Sequence, residues 1–227
     1  FDVLVVDIQD VGLRFYTYYI SMVKLMDACA EHGRMVIVLD RPNPNGHYID
    51  GPILDMKYKS GVGWLPIPVV HGMTLGELAR MVNGERWLSD GRICDLTVIP
   101  CKNYTHRTMY ELPIPPSPNL PNMKSIYLYL EATPVSLGRG TDWPFQIYGH
   151  PNMVGYTFSF TPRSVPGAKN PPLLNKKCYG VDLTRLSNEE IWEKGINFDY
   201  VIDAYRNLNL GDHFFRPFFE KLIGVDY

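Results

Sequence analysis

Two short runs constrain this chain most. "VLVVDIQD" at residues 3–10 and "MVIVLD" at 35–40 are almost continuously apolar and β-branched. Between them, Ile20, Val23, Met26 and Ala30 recur at helical spacing, and Gly33 suits the position just past a helix end. Strand, helix and strand over some forty residues make a βαβ unit, and such runs predict parallel strands buried on both faces. "IPVVHG" reads as a third strand or an extended arm. "TLGELARMVN" is a short helix in which Thr74 and Glu77 form a capping box, and "DLTVIP" is another strand. The fold class is α/β: a Rossmann-like, mostly parallel sheet followed by a smaller α+β region.

"LPIPPSPNLP" holds five prolines in ten residues, which forbids helix and central strand. The expected domains are therefore residues 1–112 and 113–227. Past the break, "MKSIYLYLEA" reads as helical and "SLGRGTDWP" as a glycine-rich loop. "YTFSFTP" and "CYGVDL" are strand-like. "SNEEIWEKG" is a helix capped by Ser187 and Glu190, and "FDYVIDAYRNL" is an amphipathic helix. A chain that starts at the first residue of a core strand is expected to be a fragment, since free termini fray.

Composition removes several functions. The formal net charge is −2, which argues against nucleic acid as a partner. No apolar run is long enough to cross a bilayer, so no transmembrane segment is expected in this chain. Cys29, Cys94, Cys101 and Cys178 lack C-x-x-C spacing and read as buried thiols, with a Cys94–Cys101 bridge left open. The histidines include no H-x-x-x-H pair, so no metal site is expected. The nucleotide fingerprint after strand one is missing ("DIQDVG" stands there), which disfavours a dehydrogenase or a nucleotide-dependent transferase.

Open parallel sheets bind ligands beyond the carboxyl ends of their strands. Here those ends carry Asp7, Gln9, Asp10 and Arg14, then Asp40, Arg41 and Asn43, then His71. Each has a structural alternative. Asp40 and Arg41 suit an ion pair with Arg14 or Asp10, "RPNPNG" suits a turn, and His71 suits a backbone hydrogen bond. Tyr16 and Tyr18 suit packing as well as sugar stacking. In "EATPVSLGRGTDWPF", Gly138 and Gly140 flank Arg139, so the backbone there can reach a ligand and the guanidinium can clamp a carboxylate; a tight turn with a solvated arginine is the alternative.

Five motifs in order, "DIQDVGLRFYTY", "VLDRPNPNG", "IPVVHGMTLGELARMVN", "PPSPNLP" and "EATPVSLGRGTDWPF", resemble the exo-β-N-acetylmuramidase family of NamZ-like glycoside hydrolases. The resemblance implies a Rossmann-like domain joined to a smaller C-terminal domain, with the active site in the cleft between them. It implies release of N-acetylmuramic acid from the non-reducing ends of peptidoglycan fragments, in the periplasm or outside the cell, without a cofactor. Muramyl saccharides are then the expected partners.

The resemblance also implies further strands before residue 1 and a Pro-Glu-His-Gly motif whose glutamate is a leading catalytic candidate; "EHG" at Glu31–Gly33 sits at a helix end and is not it. The matching positions are Asp10, Arg14, Tyr16, Arg41, Asn43, His71, Asn119, Glu131, Ser136, Arg139 and Thr141. Glu131 and Asp10 are the carboxylates for glycosidic chemistry, and Arg139 is the choice for the lactyl carboxylate, with Arg41 as fallback. Asn43, His71 and Asn119 would bind hydroxyls or the acetamido group, and Arg14, Tyr16, Ser136 and Thr141 complete the binding set. Many relatives read Glu-Gly-Thr-Asn-x-Ser-Glu-Gly-Arg-Gly-Thr in the loop; Ala132, Pro134 and Leu137 depart from that pattern, and Leu137 excludes a charged ligand there. A non-catalytic cell-wall sugar-binding module is the competing reading.

Overall fold

The computed structural model describes residues 1–113 and 130–226. Its chain divides into two compact units, Phe1–Glu111 with the residues from Gly224 onward, and Leu112–Ile223. In the first unit, β1 (Val3–Val6), β2 (Met35–Leu39) and β3 (Leu96–Ile99) form a parallel sheet of order β1-β2-β3. Val6 is level with Val38, and Val38 with Val98.

Two helices cover one face of that sheet. α1 (Tyr18–Glu31) buries Tyr19, Ile20, Met22, Val23, Met26 and Cys29, the stripe that its 3.6-residue period creates. Gly33 takes a positive φ of 59° just past its end, where a side chain would be strained. α2 (Leu75–Gly84) starts at the expected capping box: Thr74 Oγ1 accepts from the Glu77 amide, and Glu77 Oε2 accepts from the Thr74 amide. Leu78, Ala79 and Val82 join Val6, Val36 and Val38 in a single core.

The two-sided burial expected of β1 and β2 is not found. Along each strand only alternate residues enter the core. Val5 is 55% exposed and Ile99 is 50% exposed on the opposite face. The sequence shows an apolar strand on both sides, but α1 and α2 supply cover on one side only. "IPVVHG" is not a ladder strand either. It makes isolated bridges, Leu13 with Val70 and Asp50 with Val70, because Pro66 and Pro68 lack the amides that a ladder needs.

The C-terminal residues return to the first unit, where the Asp55 amide donates to Gly224 O at 2.8 Å and Lys57 pairs with Asp226 at 2.6 Å. The second unit holds an antiparallel sheet of order β4-β6-β5, made of β4 (Ile147–His150), β5 (Phe158–Phe160) and β6 (Cys178–Asp182). Its α-helices among the described residues are α3 (Asn188–Lys194), with the expected Ser187–Glu190 capping box, then α4 (Asp199–Leu208) and α5 (Phe219–Ile223). Asp203 on α4 accepts from the hydroxyls of Tyr148 (2.7 Å) and Tyr156 (2.6 Å), which ties the helix to β4 and the loop after it. The four cysteines are unpaired thiols, so the Cys94–Cys101 bridge does not form.

Candidate functional site

The strand-end residues of the first unit form a network that holds loops in place. Asp10 is 6% exposed. Its Oδ1 accepts from the amides of Val11 (2.7 Å) and Gly12 (2.8 Å), closing a turn after β1. Its Oδ2 has no hydrogen-bond partner among the described residues. Burial pushes the Asp10 carboxyl up to about 7, against the opposing pull of the Gly12, Val11 and Tyr19 amides. Asn43 Oδ1 accepts from the Asn45 amide at 2.8 Å, and its Nδ2 donates to Met73 O at 2.9 Å. Asn45 Nδ2 donates to Val11 O at 2.8 Å. Three loops are thus joined through side-chain amides.

Arg14 is fully enclosed at 0% exposure, and its Nη1 donates to Pro52 O (2.7 Å) and Ile67 O (2.9 Å). Tyr16 packs on Tyr18, with ring centroids 4.5 Å apart. Arg41 does not pair with Asp10. Its Nε donates to Asp7 at 2.5 Å in a half-exposed ion pair, which holds the Asp7 carboxyl below its usual range. Asp40 instead serves α2, accepting from Thr74 Oγ1 (2.7 Å) and from the Gly76 amide (2.8 Å).

His71 is buried, and its Nδ1 accepts from the Met73 amide at 3.2 Å. That bond fixes the neutral tautomer with its proton on Nε2. Burial depresses its pKa to about 4, so the ring stays uncharged near neutrality. His71 lines a cavity of about 640 Å³ with His47, Tyr48, Met73, Glu77 and His106. His106 Nδ1 contacts Gly46 O (2.8 Å) and its Nε2 contacts Glu77 Oε1 (2.9 Å). Both partners are acceptors, which favours the protonated ring and raises its pKa. Sequence reasoning missed His106, and it saw Glu77 only as a cap. No short motif marks that pair, since 29 positions separate them.

The second unit carries the other candidates. Glu131 and Arg139 meet: Arg139 Nη2 donates to Glu131 Oε1 at 2.8 Å, with side chains 34% (Arg139) and 35% (Glu131) exposed. The guanidinium lies over the Phe145 ring, 4.5 Å from its centroid, which orients its plane. The flanking glycines are required. Gly138 and Gly140 have φ of +74° and +81°, and a Cβ on Gly140 would stand 2.3 Å from Arg163 O. Thr141 Oγ1 donates to Gly138 O at 2.7 Å and accepts from the Trp143 amide at 3.1 Å, closing the turn. Ser136 is buried and its backbone bridges Gly149. Arg139, Thr141 and Asp142 line a cavity of about 370 Å³, closed on its other side by Val165–Ala168. Asp142 is a further acidic group at this cavity that sequence reasoning passed over. Asn119 and the "PPSPNLP" motif lie outside the described residues, as does most of the helix expected at "MKSIYLYLEA". No cluster of His, Cys, Asp and Glu suited to a metal ion occurs among the described residues.

Models of the exo-β-N-acetylmuramidase NamZ match residues 1–124 (N-terminal domain) and 126–227 (C-terminal domain). The chain belongs to the NamZ family. It is 41% identical over 203 residues to the peptidoglycan β-N-acetylmuramidase NamZ of Bacillus subtilis strain 168. That match covers 80% of this chain and 48% of the relative, so the chain spans about half the length of the curated NamZ it matches. A crystal structure of a DUF1343 family protein from Bacteroides fragilis NCTC 9343 superposes on the whole chain with a TM-score of 0.96 at 78% identity, and the match covers 65% of that structure. A second DUF1343 protein from the same strain has a TM-score of 0.78 at 28% identity, over 99% of this chain and 65% of its own. The α/β class read from the strand-helix-strand pattern is therefore shared with these solved structures.

Proposed function

We propose that this protein is an exo-acting glycosidase that releases N-acetylmuramic acid from the non-reducing ends of peptidoglycan fragments, outside the cytoplasm, in cell-wall turnover. Membership of the NamZ family and 41% identity to a peptidoglycan β-N-acetylmuramidase support the reaction class. The observation that carries the reading is the Glu131–Arg139 pair, held 2.8 Å apart on a glycine-flanked loop. A glycosidase needs carboxyl groups to protonate the leaving oxygen and to stabilise an oxocarbenium-like transition state. A muramidase must also recognise a lactyl carboxylate, which a planar guanidinium can bind through two parallel bonds.

Glu131 supplies one carboxyl group. Arg139 recognises the lactyl carboxylate, beside a cavity whose volume of about 370 Å³ suits a single sugar residue. In the first unit Asp10 is the other carboxyl candidate, with a pKa that burial raises to about 7.

The test is release of free N-acetylmuramic acid from a muramyl disaccharide by the purified protein. Turnover by the wild type and a loss of about 10²-fold or more in Glu131→Gln are expected. Saccharide binding without release would mark a sugar-binding module instead.

A further inference from the structure

The geometry points to a carboxylate exchange at Arg139, and this inference rests on the reading of Arg139 as the lactyl-binding residue. In the free protein the guanidinium already holds a carboxylate, that of Glu131, through one bond of 2.8 Å. Both side chains are about one-third exposed. A pair in that setting is weak, because water competes for both charges. A ligand carboxylate that binds the guanidinium fork through two parallel bonds is the stronger partner. We therefore propose that the substrate's lactyl carboxylate displaces Glu131 from Arg139 and so frees the Glu131 carboxylate for the glycosidic bond.

Three features favour exchange over a passive pair. The guanidinium plane is held by the Phe145 ring as well as by Glu131, so losing Glu131 does not set the arginine free to wander. The positive φ angles of Gly138 and Gly140, with Thr141 closing the turn, fix the backbone that carries Arg139. Arg139 also lines the cavity of about 370 Å³, so an incoming group reaches it without opening the core.

The consequence is a specificity device. A sugar with a lactyl group switches the catalytic carboxylate on. N-acetylglucosamine has no carboxylate, leaves Glu131 paired, and is turned over slowly even when bound. Arg139 then discriminates in kcat and not only in KM. No covalent step is involved: one ion pair breaks and another forms.

The test is equilibrium binding by titration calorimetry of free N-acetylmuramic acid and of N-acetylglucosamine to the wild type, Glu131→Gln and Arg139→Ala. Exchange predicts that Glu131→Gln tightens N-acetylmuramic acid about three- to tenfold, since the competing carboxylate is gone, on the scale of one exposed ion pair. Arg139→Ala weakens it about tenfold or more. N-acetylglucosamine affinity stays within twofold in both variants.

Unchanged or weaker binding of N-acetylmuramic acid to Glu131→Gln would overturn the exchange. So would an equal effect on both sugars. Arg139→Lys keeps the charge and loses the fork, so it guards against misfolding in the alanine variant and should bind N-acetylmuramic acid more weakly than the wild type. Binding and catalysis fail separately: tightening in Glu131→Gln with no muramic acid release by the wild type would sink the glycosidase reading alone, and release by the wild type without tightening in Glu131→Gln would sink the exchange alone.

Discussion

The two units use charge differently. At the strand ends of the first unit, Arg14, Asn43 and Asn45 are buried, and Arg14 Nη1, Asn43 Oδ1 and Nδ2 and Asn45 Nδ2 meet backbone donors and acceptors. On the glycine-rich loop of the second unit, Glu131 and Arg139 are partly exposed, and they meet each other. The lesson is that a dense polar motif at the end of a strand need not be a ligand site. Buried side-chain amides and guanidinium groups satisfy carbonyls that no ladder reaches, and they fix loops in doing so. Asp10 breaks the division, as His71 Nε2 also does, since it anchors a turn through one oxygen and leaves the other without a hydrogen-bond partner among the described residues.

Asp10→Asn tests that exception, with the largest effect expected. The amide oxygen can still accept from Val11 and Gly12, so the turn survives. If Asp10 is a general acid, turnover falls about 10²-fold or more while the melting temperature does not fall. An unchanged rate would return Asp10 to the scaffold. Arg14→Leu should be next, and should act on stability. It leaves the Pro52 and Ile67 carbonyls without their buried donor and costs about 3 kcal/mol or more, read by urea unfolding. The matched control is Arg41→Leu on the half-exposed Asp7 pair, which should cost about 0–1 kcal/mol and vanish in high salt. Similar losses in the two variants would erase the distinction between buried and exposed charge.

The pH dependence sharpens the same contrast with a smaller effect. His71 has a folded pKa of about 4 against 6.5 for the free group, so between those values the unfolded chain binds more protons and stability falls as pH drops. Asp10 has a folded pKa of about 7 against 3.8, so the folded chain binds more protons over that window and stability falls as pH rises. Melting temperature followed from pH 4 to pH 7 should lose its acid-side decline in His71→Asn and its decline toward neutrality in Asp10→Asn. Parallel shifts of the whole profile in both variants would contradict these assignments.

Much of the fold is legible in the chain. The capping boxes at Thr74 and Ser187 are local, and local chemistry is readable. The helical stripe of α1 and the parallel strands around it follow from periodicity. β4 escapes, because Gly149 sits inside it and lowers any strand expectation. The residue is required there, since a Cβ would stand 2.4 Å from Tyr179 O on the neighbouring strand.

The site is less legible. Glu131 and Arg139 are eight residues apart, and their pairing depends on the turn that Gly138 and Gly140 permit. Arg14 and Asn43 look like ligand residues in sequence, because nothing local announces that distant carbonyls and amides will enclose them. His106 and Glu77 meet only through the fold.

The most direct measurement is kcat/KM on paired chromogenic β-glycosides of N-acetylmuramic acid and N-acetylglucosamine, for the wild type and Arg139→Ala. If Arg139 reads the lactyl carboxylate, the variant loses about tenfold or more on the muramyl substrate and little on the glucosaminyl one, so the preference collapses. An equal loss on both substrates would show that Arg139 only shapes its loop, and would contradict the account.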